Sequence, residues 1–342
     1  MSFSLFILPA SGAGFAVQIA ILQHLSTIHC VPDLMLASSG GNIAAYIASA
    51  AEFQSAKIER IATELKSSLF VKNWSDIGMI SKLQGFFQGN AYDHGTGSTE
   101  FLKKYFTSET ICRYEVWTGA YNKQEQKFRV FCNKHKSSSI LGKSHIDYNL
   151  TQSMEPCYAN GSIEMIADAS TASASIPGVI PPKIIEGQMY VDGGNFSSSP
   201  LSVMKGSIIH YLKKSNKTLH ITYINSKNLA SVHVSPNNNL FDTYFTAIEN
   251  LLKSNTIIDR LSAYDLFDYF NKNDKIKKYE CICNYDNLLK IDNIRKSTKY
   301  SMLEIYPNKD VTVNITDFCG KDVKKAIKEI YDNCTCNFWW YD

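Results

Sequence analysis

The opening of this chain alternates short apolar runs with helix-like stretches, and that order narrows the fold more than anything else in the sequence. Phe3 to Leu8 reads as a buried strand and Ala10-Ser11-Gly12-Ala13-Gly14 as a loop of small residues. Phe15 to Ile28 has Val17, Ala20, Ile21 and Leu25 at helical spacing. Leu34 to Leu36 reads as a second buried strand, and Gly40 to Ala51 as a helix of small and apolar residues. Strand, helix, strand, helix in so short a span predicts a parallel sheet with right-handed crossovers.

Downstream, Phe53 to Phe106 reads as mostly helical, with an irregular middle at Leu83 to Gly89. Glu115 to Ala120, Lys127 to Phe131, Met189 to Val191 and Leu219 to Ile224 read as strands. Ile163 to Ser175 is an Ala/Ser-rich helix that stops before Pro177. Tyr244, Phe245, Ile248, Leu251, Leu252, Ile258 and Leu261 keep a helical period. Cys281 to Cys283 and Met302 to Ile305 read as late strands, and Val323 to Ile330 as a terminal helix. No repeat or low-complexity linker divides the chain. The expectation is a core over 1–205, with 206–342 as a helical elaboration of the same domain carrying late strands.

A net charge of +3 gives no electrostatic footprint for nucleic acid. Lys272, Lys275, Lys277 and Lys278 form a local patch, broken by Asp274, that reads as a solvated loop. No apolar run approaches the roughly 20 residues that span a bilayer. The first apolar run lacks a charged leader and ends at Pro9, so it reads as a strand and not as a signal peptide. Nine cysteines, two pairs of them spaced C-x-C, fit reduced thiols better than a zinc site. The expectation is a cytoplasmic or peripheral membrane protein without metal or cofactor.

Two short motifs carry the chemistry. Ser39 lies between the second strand and its helix, with Ala37 two residues before and Gly41 two after. A serine on so sharp a turn needs small residues at both flanks, and A-x-S-x-G departs minimally from G-x-S-x-G. Ser38 is a poorer candidate because Leu36 would occupy its first flank. The N–H groups that open the following helix, from Gly40 on, favour a developing oxyanion. A helix N-cap is an equally good use for this serine when the motif is taken alone.

Asp192-Gly193-Gly194 ends another apolar strand, where a carboxylate in reach of a serine hydroxyl can act as general base. An ordinary Asp-Gly turn is the alternative. Gly12-Ala13-Gly14 is a weak dinucleotide fingerprint, since Val17 occupies its third small position and Asp33 begins its strand. The loop better suits backbone N–H groups around Ser11, Gly12 and Ala13 that face an acyl oxygen. A plain tight turn is the alternative there.

Taken together and in order, Leu8 to Leu22, Pro32 to Ala45 and Ala172 to Pro200 resemble the patatin-like phospholipases. Ala174 to Pro182 also resembles the segment that precedes that family's aspartate. The resemblance implies a three-layer α/β fold with a mainly parallel central sheet flanked by helices. It further implies a Ser-Asp dyad, with Ser39 as nucleophile and Asp192 as base, and no catalytic histidine. Ser11, Gly12, Ala13 and Gly40 would form the oxyanion hole, and Ala37, Gly41, Gly193 and Gly194 would support the turns. His24 and His29 are then expected on a helix surface.

The implied activity is hydrolysis of lipid acyl esters, of phospholipase A or lysophospholipase type. The alternatives are a weakened patatin-fold protein that binds lipid or a partner, or an acyltransferase. The implied substrate is a phospholipid or another acyl lipid, with peripheral membrane contact through Trp74, Phe86 and Phe87 or through the terminal Phe338, Trp339, Trp340 and Tyr341. Two departures bear on efficiency. In the family's opening motif, G-G-G-x-R-G, Gly14 replaces Arg and of the three leading glycines only Gly12 remains, and at the elbow Ala37 replaces the first Gly.

Overall fold

The computed structural model describes residues 2–69, 97–107, 110–142, 156–178, 180–227, 240–270, 275–309, 311, 319–331 and 333–341. Strand β1 (Ser2–Leu8) leads through a turn of 3-10 helix (Gly12–Gly14) into α1 (Phe15–Thr27). Then come β2 (Leu34–Ser38), α2 (Gly40–Ala50), α3 (Ser55–Ala62) and α4 (Gly97–Tyr105). Strands β3 (Glu115–Asn122), β4 (Lys127–Cys132) and β5 (Pro156–Tyr158) precede α5 (Ile163–Ser173). The hairpin β6 (Lys183–Ile185) and β7 (Gln188–Asp192) is followed by α6 (Leu201–Ser215), β8 (Thr218–Ile224) and α7 (Leu240–Phe270). The chain continues through β9 (Lys277–Ile282), α8 (Tyr285–Ser297), β10 (Tyr300–Pro307), α9 (Gly320–Tyr331) and β11 (Cys334–Tyr341).

These strands form one sheet in the order β5-β4-β3-β2-β1-β8-β10-β11-β9, with β7 also paired to β3 and β6 to β7. The five central strands β3, β2, β1, β8 and β10 are parallel, and antiparallel pairs lie towards both margins. Alternation along β1 shows why helices must cover both faces. Phe6 and Leu8 join the core beneath α1, α2, α3, α8 and α9. Phe3, Leu5 and Ile7 join the core beneath α6 and α7. The result is a mixed α/β fold with a large central sheet flanked by helices, as expected.

Several local readings change. Phe338 to Tyr341 is not a free aromatic end: it belongs to β11, inside the sheet between β10 and β9, with Phe338 and Tyr341 buried. Lys277 and Lys278 lie in the edge strand β9, where lysines blunt edge-to-edge pairing. His24 is buried because α1 is covered by α2, α3 and α9 as well as by the sheet, whereas His29 is exposed beyond the helix end. The long helix α7 extends beyond the periodic stretch on both sides. Trp74, Phe86 and Phe87 lie outside the described residues. Among the described residues no helix is long and apolar enough to cross a membrane.

Candidate active site

The register of β3 explains how two distant motifs meet. One edge of β3 pairs with β4 from Trp117 to Asn122. Its other edge pairs first with β2, as far as Ser38 opposite Gly119. From Ala120 onward β7 takes over that edge, with Asp192 opposite Ala120. Ser39 leaves the sheet where β2 stops, and Asp192 ends β7 at the same junction.

Ser39 has φ 51° and ψ −131°, a left-handed φ that non-glycine residues rarely adopt. Such a conformation costs on the order of 1–3 kcal/mol and persists only where its surroundings hold it. Here the Ser39 N–H donates to Ser173 Oγ at 2.9 Å, and Ser173 Oγ donates to the Gly119 carbonyl at 2.6 Å. The Ser39 carbonyl accepts from the N–H of Asn42 at 3.1 Å and also from the Asn42 side chain. Gly41 faces the end of β1 so closely that a Cβ there would collide with the Leu8 carbonyl. The Ala37 methyl is buried in the core, so the turn accommodates the extra carbon.

Ser39 Oγ donates to Asp192 Oδ2 at 2.7 Å. The Gly194 N–H donates to Asp192 Oδ1 at 2.7 Å, and the Asp192 N–H to the Ser175 carbonyl at 2.9 Å. Asp192 is fully buried. That burial pushes its carboxyl up to about 7, against the opposing pull of the bonds from Ser39 and Gly194. No histidine is among its described partners. Gly193 abuts the Gly119 carbonyl, and Gly194 abuts the Ala10 methyl.

The loop after β1 lies against the start of α2. Gly12 has φ +49° and opens the 3-10 turn that also holds Ala13. Ser11 Oγ and the Gly12 carbonyl stand where a Cβ on Gly40 would go, so the structure brings Ser11, Gly12 and Gly40 together. Ser11 Oγ is buried and has no hydrogen-bond partner. The Gly14 N–H donates to the Ser11 carbonyl at 2.8 Å. A Cβ on Gly14 would come 2.9 Å from Ser226 Cβ, so this loop is built around glycine where the family's pattern has arginine. At the start of α2 the N–H groups of Gly40 and Gly41 have no carbonyl one turn earlier to bond.

Ser39 is 2% exposed. An apolar cavity one turn along α2, lined by Ile43, Ile47, Phe101 and Ser170, measures about 20 Å³, room for about one water. Among the described residues no group of three or more His, Cys, Asp or Glu is placed to hold a metal ion.

Sequence reasoning missed Ser173, Asn42 and Asn255, all bonded to this site. The run Ala172-Ser173-Ala174-Ser175 carries a signal for the first, since small polar residues before a proline suit close backbone contacts. No local signal marks Asn255, which reaches the Gly194 carbonyl from within a long helix.

The arrangement can transfer a proton from a serine hydroxyl to a carboxylate beside free helix N–H groups. No curated protein matches the chain. The family model described as patatin-like phospholipase matches residues 8–205, more than half of the sequence and every segment just described except Asn255 and Ser226. Patatin-like phospholipases are in general lipid acyl hydrolases, and this chain belongs to that family.

Proposed function

We propose that this protein hydrolyses carboxylic esters of lipids through a Ser39-Asp192 dyad. The observation that carries the reading is the 2.7 Å bond from Ser39 Oγ to Asp192 Oδ2. Ser39 Oγ attacks the ester carbonyl while Asp192 accepts its proton. Negative charge then develops on the carbonyl oxygen, which takes hydrogen bonds from the Gly40 N–H and from the N–H groups of the Ser11-Gly12-Ala13 loop. As the tetrahedral centre collapses, Asp192 returns the proton to the leaving alcohol oxygen. Water attacks the resulting acyl-serine, again with Asp192 as base, and the fatty acid leaves as Ser39 recovers its proton. The lipid class fits phospholipase A or lysophospholipase chemistry, acting at a membrane surface.

One observation favours the alternative, a patatin-fold protein with weakened chemistry. The loop after β1 packs Gly14 against Ser226, so it carries no side chain where the family's pattern has arginine.

A fluorescent phosphonate that labels activated serines separates the two. The hydrolase reading expects labelling of the unmodified protein and its loss in Ser39→Ala and Asp192→Asn. Absent labelling, or labelling equal in all three proteins, overturns it.

A further inference from the structure

The turn that carries Asp192 is gripped by a helix outside the residues matched by the family. On α7, Asn255 and Thr256 are neighbours in sequence, and Asp259 lies one turn beyond them. Asn255 Nδ2 donates to the Gly194 carbonyl at 2.9 Å. Thr256 Oγ1 and Ser198 Oγ are 2.9 Å apart, and Ser199 Oγ donates to Asp259 Oδ1 at 2.7 Å. Tyr223 of β8 ties this face of α7 to the sheet, donating to the Thr256 carbonyl at 3.0 Å. The Ser198 carbonyl in turn accepts the Ala10 N–H at 2.6 Å, at the root of the loop after β1. Leu252, one helical turn before Thr256, fills the space beside Gly194.

Gly194 therefore has two directed bonds. Its N–H holds Asp192 Oδ1, and its carbonyl is held by Asn255. The peptide groups on either side of Gly194 are fixed together, so the helix sets the angle at which the N–H meets the carboxylate. We infer that Asn255 is a positioning residue for Asp192, acting through Gly194 to keep the carboxylate ionised and aimed at Ser39. This deepens the reading under Proposed function and rests on it.

Among the described residues, three charged groups around the turn have partners of their own. Asp259 is bound by Ser199 and Tyr223, Arg260 pairs with Glu304, and Lys183 pairs with Asp168. None of them, nor Lys253 on α7, is a bonding partner of Asp192, whose described side-chain partners are Ser39 and Gly194. An N–H bond to a carboxylate favours its ionised form, so slackening that bond raises the carboxyl's pKa.

The test follows the Asp192 carboxyl carbon by NMR titration, assigned by difference from Asp192→Asn. In Asn255→Ala the midpoint is expected to rise by about half a pH unit or more. Asn255→Gln, which keeps the amide, is expected to recover part of that shift. For a short-chain p-nitrophenyl ester, the acidic limb of kcat/KM should move upward by the same amount, with the rate regained near pH 9. A purely structural role would lower the rate at every pH and leave the limb in place. An unmoved midpoint in a folded Asn255→Ala protein overturns the inference, and Asn255→Ser serves if the alanine variant does not fold. Failure of phosphonate labelling in the unmodified protein overturns the hydrolase reading instead, while the titration still judges the clamp on Asp192.

Discussion

The hydroxyl of Ser173 lies 2.9 Å from the backbone nitrogen of Ser39 and passes the restraint on to the Gly119 carbonyl. One side chain thus ties the strained residue at the end of β2 to the neighbouring strand β3. Removing the hydroxyl leaves the Ser39 N–H and the Gly119 carbonyl without this partner in a dry setting. Ser173→Ala is therefore expected to destabilise the fold by about 1–3 kcal/mol. Phosphonate labelling of Ser39 should slow as well, because the φ of 51° loses its anchor. Urea denaturation and labelling kinetics on the same preparation check both. Full stability with unchanged labelling would show that the elbow holds without Ser173.

The carboxyl of Asp192 gives stability and activity opposite pH dependences. Its pKa rises from 3.8 to about 7 in the folded protein because burial disfavours the charge. Between those two values the folded state binds more protons than the unfolded state, so this group's contribution to stability falls as pH rises through that window. The proposed chemistry needs the carboxylate, so turnover should rise over the upper part of the same range. Asp259 is also buried and pushed up to about 7, and it adds to the loss of stability in the same direction. Asp192→Asn removes one of the two titrations. At pH 8 that variant is expected to be more stable than the unmodified protein and inactive, a trade of stability for function at a buried charge. Denaturation midpoints of both proteins at pH 5 and pH 8 decide the matter.

Sequence reading succeeded where structure is encoded locally and failed where it is encoded by distant neighbours. Strand order at the opening, the turn at Ser39 and the turn at Asp192 follow from short-range rules about apolar runs and small residues. The convergence of Ser39 and Asp192 depends instead on β7 taking over the edge of β3 where β2 stops, which no local pattern specifies. His24 misled for a related reason. An amphipathic reading assigns α1 one buried face, whereas nearly every residue of α1 is buried because helices cover it on several sides. The terminal aromatics misled because a chain end is expected outside, while Cys334, Cys336 and Phe338 place one face of β11 in the core.

That last strand yields a direct test. Phe338 is fully buried and stacks on Trp340, with ring centroids 4.9 Å apart. Phe338→Ala is expected to destabilise the protein by about 3–5 kcal/mol, as truncation of a core aromatic does. A residue that served only to enter a lipid interface would leave the denaturation midpoint unmoved and weaken vesicle binding instead. Chemical denaturation and sedimentation with phospholipid vesicles distinguish the two roles.

Ser11 stands where the opening motif of the family this chain resembles has a glycine. Its hydroxyl is buried, has no partner and faces the start of α2 at Gly40. A buried hydroxyl without a partner carries a desolvation cost, which a bond made only in the transition state would offset. Under the hydrolase reading that bond goes to the developing oxyanion, beside the Gly40 N–H. Ser11→Ala is then expected to lower kcat by about a hundredfold with little change in KM, since loss of a transition-state-only bond leaves ground-state binding intact. Ser11→Thr, which keeps the hydroxyl, should retain more of the rate than Ser11→Gly, although glycine is the residue the family carries there. A kcat unchanged in Ser11→Ala would show that backbone N–H groups alone hold the oxyanion. Equal losses in the alanine and threonine variants would show that loop packing, and not the hydroxyl, sets the rate.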